Sequence, residues 1–160
     1  MKFLPNQKGF TLIELIVVVI MLGILAATAL PKFIGLGTEA RIASVHQLAG
    51  SLRSTANLVY AKCMVTPTCN INLRLTHPTI DGVDYMLNYG WLDAGDVLGG
   101  RQIDSHINYS GFTASLPNTQ TTRFTISNAP DPANCYVDYR DAYALSSNKQ
   151  IAITTVITGC

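Results

Sequence analysis

The chain has 160 residues and a mass of 17.3 kDa, room for one domain with an added segment and too little for two full domains. With 48% hydrophobic and 13% charged residues it is too apolar and too weakly charged to be a disordered protein. A formal net charge of +1 lacks the basic excess of a general nucleic-acid binder.

The apolar excess lies at the N-terminus. Residues 1–9, MKFLPNQKG, carry Lys2 and Lys8 and no acid; residues 10–31, FTLIELIVVVIMLGILAATALP, hold 17 hydrophobic residues in 22, with Glu14 as their one charge. As a helix this stretch is about 33 Å long, enough to cross a bilayer core of about 30 Å. Basic residues before such a span favour keeping that end in the cytoplasm.

Three readings compete for this segment. It is a secretory signal peptide cut at Ala27-Thr28-Ala29, a plain single-pass anchor, or a helix retained after a short leader is removed ahead of it. Glu14 decides, because a carboxylate near the centre of a membrane helix costs about 2.5–3.5 kcal/mol and gains nothing in the first two readings. A cut between Gly9 and Phe10 supplies its partner, a new α-amino group four residues away. Within one chain that pairing is strained; between two staggered parallel helices it is easy.

At these residues the chain resembles the type IV pilins. Lys8-Gly9-Phe10-Thr11-Leu12-Ile13-Glu14-Leu15 matches the signature of that family, a basic leader ending in Gly, then Phe-Thr-Leu-Ile-Glu and an apolar run. The resemblance implies cleavage after Gly9 by a prepilin peptidase, N-methylation of Phe10, and pairing of Glu14 with the Phe10 amine of an adjacent subunit. It also implies no cofactor and an assembly machinery with an ATPase motor that draws subunits from the inner membrane. The nine-residue leader is similar to the type IVa subclass. Ala29-Leu30-Pro31-Lys32-Phe33, Asn134-Cys135-Tyr136-Val137-Asp138-Tyr139 and Gly159-Cys160 resemble mannose-sensitive haemagglutinin-type pilins.

After residue 31 the pattern becomes amphipathic. Ile42, Val45, Ala49, Leu52, Ala56 and Val59 recur at spacings of three and four, one face of a helix. The reading is one helix from Phe10 to about Ala61, its first part (10–31) for membrane and filament core and its second (32–61) the spine of a folded head. Pro31 removes a backbone hydrogen bond and Gly35 and Gly37 add freedom, so a kink is expected there.

Residues 62–106 read as a long connecting loop, with a single helical turn at Asp93–Leu98 capped by Asp93. From 107 to 160, β-favouring runs at Ile107–Ala114, Thr122–Asn128, Cys135–Tyr143 and Gln150–Thr158 alternate with turn signals at Pro117-Asn118, Pro130-Asp131-Pro132 and Ser146-Ser147-Asn148. The fold class is therefore α+β, the pilin fold: a long N-terminal helix whose second half packs on an antiparallel meander of about four strands. Phe124/Ile126 and Ile151/Ile153 alternate, so one face should be buried.

Four cysteines permit three pairings. Cys63–Cys69 and Cys135–Cys160 are preferred because each closes a local piece, and loop closure contributes about 2.4 and 3.5 kcal/mol respectively. In the resemblance, the second pair bounds an exposed C-terminal region. A zinc site is disfavoured, as the chain has no Cys-x-x-Cys and no neighbouring His pair.

Catalytic patterns are missing from the sequence. His46, His77 and His106 show no ligand spacing, and neither a Gly-x-Ser-x-Gly elbow nor a phosphate-binding Gly-rich loop occurs. Asp81, Asp84, Asp93 and Asp96 do not fit an EF-hand and read as solvated loop acids. Asn108-Tyr109-Ser110 is a weak glycosylation triplet. Asp131, Asp138 and Asp141 offset Arg123, Arg140 and Lys149, leaving no nucleic-acid patch.

The sequence thus points to a structural filament subunit, a major type IVa pilin that partners copies of itself, and not to an enzyme. A minor pilin, a type II secretion pseudopilin, or a secreted binding protein with an ordinary signal peptide are the rival readings. Outside residues 1–31, Ser, Thr and Asn supply 32 of 129 residues, a polar, uncharged surface suited to subunits packed side by side.

Overall fold

A computed structural model describes residues 9–95, 102–143 and 148–160, and the backbone alone at 31–34. The leader ahead of Gly9, the Asp96–Leu98 part of the expected helical turn and the Ser146-Ser147 turn signal lie outside the described residues. The chain forms two compact units, residues 1–39 and 40–160, and each is described by itself.

In the first unit α1 runs Leu12–Ile34. Its Leu12–Leu30 stretch is long and apolar enough to cross a membrane. Side chains from Leu12 to Leu25 lie open, Leu12 75% and Leu25 64% exposed. A helix hydrophobic on every side, with its described side chains from Leu12 to Leu25 exposed, requires lipid or other helices around it. The single helix expected over 10–61 is found as two helical runs. Pro31 stays inside α1, and the interruption falls on Gly35, after which α2 runs Leu36–Val65 with Gly37 in its first turn.

In the second unit α2 buries Val45, Leu48, Leu52, Ala56, Val59 and Cys63, a stripe at spacings of three and four. Ile42 and Ala49, expected on that face, pack at its margin. The connection after α2 is more ordered than expected. It folds into two hairpins, β1 (Thr79–Ile80) with β2 (Val83–Asp84) and β3 (Leu87–Asn88) with β4 (Trp91–Leu92). Their two-residue turns, Asp81-Gly82 and Tyr89-Gly90, have φ of 54° and 76°, then 53° and 83°, the doubly positive pattern that matches strand twist. Ile80, Tyr85, Met86, Leu87, Leu92 and Ala94 from this segment are buried, so it closes the core. Asp93 and Ala94 take no helical conformation, and the short helical turn in this region is a 3-10 turn at Ile103–His106.

The sheet is an antiparallel meander in sequential order: β5 (Thr113–Asn118), β6 (Thr121–Thr125), β7 (Tyr136–Arg140) and β8 (Ala152–Val156). The first strand sits later than the expected 107–114 and contains Pro117, read from sequence as a turn. An edge strand tolerates a proline because its outer N–H groups need no partner, and the β5–β6 register shifts between Ser115 and Asn118. Phe124, Ile126, Val137 and Tyr139 join the α2 stripe in one core cluster. Ile151 and Ile153, on the other edge, are only half-buried.

Two disulfides brace the unit. Cys63–Cys69 closes the end of α2 (Cα–Cα 5.2 Å) and Cys135–Cys160 ties the residue before β7 to the C-terminal residue (Cα–Cα 4.9 Å). The second tie is reinforced. Arg41 donates from Nε to the Cys160 carbonyl, and Gly159 N donates to Asn134 O at 2.9 Å. Across β6 and β7, Arg123 grips the buried Asp138 with two bonds of 2.7 and 2.8 Å and lies 3.6 Å from the Tyr136 ring centroid, so the buried charge is paired.

Candidate assembly site

The residues at the start of α1 form a compact polar group on an otherwise apolar helix. Thr11 precedes the first helical residue, Leu12, and is the N-cap. Its hydroxyl accepts from Glu14 N at 3.3 Å, while the Glu14 carboxylate accepts from Thr11 N at 2.9 Å and from the Thr11 hydroxyl at 2.8 Å. This reciprocal pattern is a capping box, which satisfies two of the helix's orphan N–H groups. A negative charge in the first turn also complements the helix dipole.

The box determines where the acid points. Held against Thr11 N, the Glu14 carboxylate lies over the N-terminal mouth of the helix, next to Phe10 in sequence. Phe10 is 95% exposed, and Gly9 and Phe10 lie outside the helix. Gly9–Phe10 is therefore accessible, non-helical backbone. On sequence grounds Thr11 is given no role, although the Thr-x-x-Glu spacing carries the signal; Glu14 is read as a membrane acid and as the partner of the Phe10 amine, without the cap.

The other residues singled out from sequence are dispersed. Gly35 is 21 positions beyond Glu14 in sequence, and the two disulfides belong to the second unit. Among the described residues no group of three or more His, Cys, Asp or Glu could hold a metal ion.

Residues 4–30 match the family model described as the prokaryotic N-terminal methylation motif. Among curated proteins the chain is 41% identical over 65 residues to the type IV narrow pilus major component PilA5 of Thermus thermophilus, an alignment covering 41% of this chain and 56% of that protein. It is 39% identical over 64 residues to the fimbrial protein EcpC of Eikenella corrodens, covering 40% of this chain and 42% of the other. It is 36% identical over 75 residues to the type IV major pilin protein PilE1 of Neisseria gonorrhoeae, covering 47% and 46%. The chain spans about half the length of these relatives. No solved structure matches it. With the methylation motif at its start, relatives of this kind and a long N-terminal helix followed by an antiparallel sheet, the chain belongs with the type IV pilins.

Proposed function

We propose that this chain is the structural subunit of a type IV pilus, inserted in the inner membrane through Leu12–Leu30 with its N-terminus cytoplasmic. A prepilin peptidase cuts it after Gly9 and methylates Phe10, and an ATPase-driven machinery draws it into an extracellular filament of its own copies. The observation that carries this reading is the capping box. It presents one carboxylate at the mouth of an all-apolar, uncovered helix, within the segment that matches the methylation motif.

Cleavage frees the Phe10 amine, and in a staggered bundle of such helices the Glu14 carboxylate of one subunit meets the amine of the next. Both charges are expensive to leave alone in an apolar medium, so each removes the other's penalty only when subunits are in register. The pairing therefore selects the stagger as well as stabilising it. Major-pilin standing is favoured by the relatives, whose names are those of major components. The sparse charge of the head suits close lateral packing. Attachment or motility are the uses that the resemblance implies for the fibre.

Glu14→Val tests the reading. The variant should be cleaved and membrane-inserted at wild-type levels yet yield few sheared filaments, with Glu14→Gln intermediate or equally impaired. Wild-type piliation by Glu14→Val overturns the role given to Glu14. Abundance in the sheared fraction separates a major subunit from a minor pilin or pseudopilin.

A further inference from the structure

A cluster of buried polar groups sits where the β3–β4 hairpin meets the end of β7. Asp93, just after β4, is 2% exposed, and Asp141, just after β7, is 1% exposed. The two carboxyl groups share one donor, the Asn88 amide, and line the same cleft, so two charges there would repel each other strongly. Asn88 Nδ2 donates to both acids, at 3.1 Å to Asp141 Oδ2. The orientation of this amide is fixed, because its oxygen accepts from Leu75 N at 3.1 Å. Tyr143 N donates to Asp141 Oδ1 at 3.0 Å, while Asp93 Oδ2 is buried with no hydrogen-bond partner. A cleft of about 70 Å³ adjoins the pair, lined also by Arg74, Gln120 and Tyr143.

We propose that Asp93 and Asp141 hold one proton between them and act as a pH-operated clasp, closed while the proton is held and loosened when it leaves to solvent. An amide aimed with both of its hydrogens at the two acids suits a shared proton and opposes a metal ion, which needs oxygen donors there. The clasp joins segments 48 positions apart and is flanked by two further ties, Tyr139 OH to Leu92 O at 2.7 Å and Thr122 Oγ1 to Ala94 O. Losing the proton leaves two like charges in a buried site.

The facing groups narrow the cause of any titration. Burial, and then the Asp141 carboxyl, push Asp93 up to about 8. Tyr139, from β7, is raised well above its usual value by burial and by both acids, so it stays neutral throughout. Arg74 borders the cleft with its guanidinium 3.6 Å from the Tyr143 ring centroid, and Lys149 lies 5.0 Å from the Tyr89 ring centroid. The folded state keeps a proton that the unfolded chain sheds near pH 4. Stability therefore falls as pH rises from about 4 to about 8 and levels above that.

The test is thermal unfolding of the full chain in detergent micelles, followed by the fluorescence of Trp91, the chain's single tryptophan. Wild type should lose about 5 °C in Tm per pH unit between pH 5 and 7 relative to Asp93→Asn, whose amide stands in for the protonated acid. Asp93→Asn should be the more stable of the two at pH 8. Parallel pH profiles for the two proteins overturn the proposal, and so does a rise in wild-type Tm on adding Ca²⁺ or Mg²⁺ at pH 8. Carboxyl ¹³C shifts of the wild type need no variant. One buried aspartate should titrate near pH 8, and titration of every aspartate below pH 5 refutes the clasp.

Discussion

Replacing both Cys135 and Cys160 by serine should destabilise the head more than replacing both Cys63 and Cys69. The bond closes a sequence separation of 25 residues, against 6 for Cys63–Cys69. On the chain-entropy description, the longer loop contributes about 3.5 kcal/mol and the shorter about 2.4 kcal/mol. Roughly 120 residues from Ala40 to Cys160 form the folded unit, and an unfolding entropy of about 2.1 cal/mol/K per residue converts each kcal/mol to about 4 °C. The Cys135→Ser/Cys160→Ser protein should therefore melt about 14 °C below wild type, and Cys63→Ser/Cys69→Ser about 10 °C below. The gap should widen slightly because Cys135 and Cys160 are both buried whereas Cys69 of the other pair is only partly so, and a hydroxyl is costlier at a buried apolar site. The assay is thermal unfolding of the oxidised full chain in detergent, read by Trp91, whose ring stacks 4.2 Å from that of Tyr60 on α2. An equal or larger loss for the Cys63/Cys69 pair refutes the reasoning.

Three further substitutions probe packing by the same assay. Phe124→Ala empties a fully buried position beside Tyr109 and should cost about 3–5 kcal/mol, or about 12–20 °C. Gly95→Ala places a Cβ 1.9 Å from the Thr119 carbonyl oxygen, a backbone atom that cannot swing aside, and should cost about 3 kcal/mol or more. Gly50→Ala lies in α2 with open space around the new methyl and should instead raise stability by about 0.8 kcal/mol.

The elements that declared themselves in the sequence are those governed by local pattern. The α2 stripe through Val45, Leu52, Ala56 and Val59 followed from helical spacing, and the alternation of Phe124 in β6 with Ile126 just after it announced one buried face. The misreadings have separable physical causes. Pro117 sits in a strand because β5 is an edge, and edge position is a property of the assembled sheet. The Asp81-Gly82 turn carried a local hairpin signal and was passed over; Tyr89-Gly90 gave a weaker one, since a tyrosine at positive φ is held by its surroundings. The Thr11–Glu14 box was readable from four residues. The Asn88–Asp93–Asp141 cluster was not, because Asn88 and Asp141 stand 53 positions apart and meet only once the meander is folded. Asp93, a loop acid read as solvated, is thus one of the most deeply buried carboxylates among the described residues.

The central claim is that the chain is cut ahead of its apolar helix and built into a fibre with that helix intact. Mass spectrometry of filaments sheared from the cell surface, run without reductant, tests it most directly. The account predicts an abundant chain that begins at Phe10, carries one methyl group on its amine and retains two disulfides. A chain that begins at Leu30, recovered in the soluble fraction and missing from filaments, contradicts it.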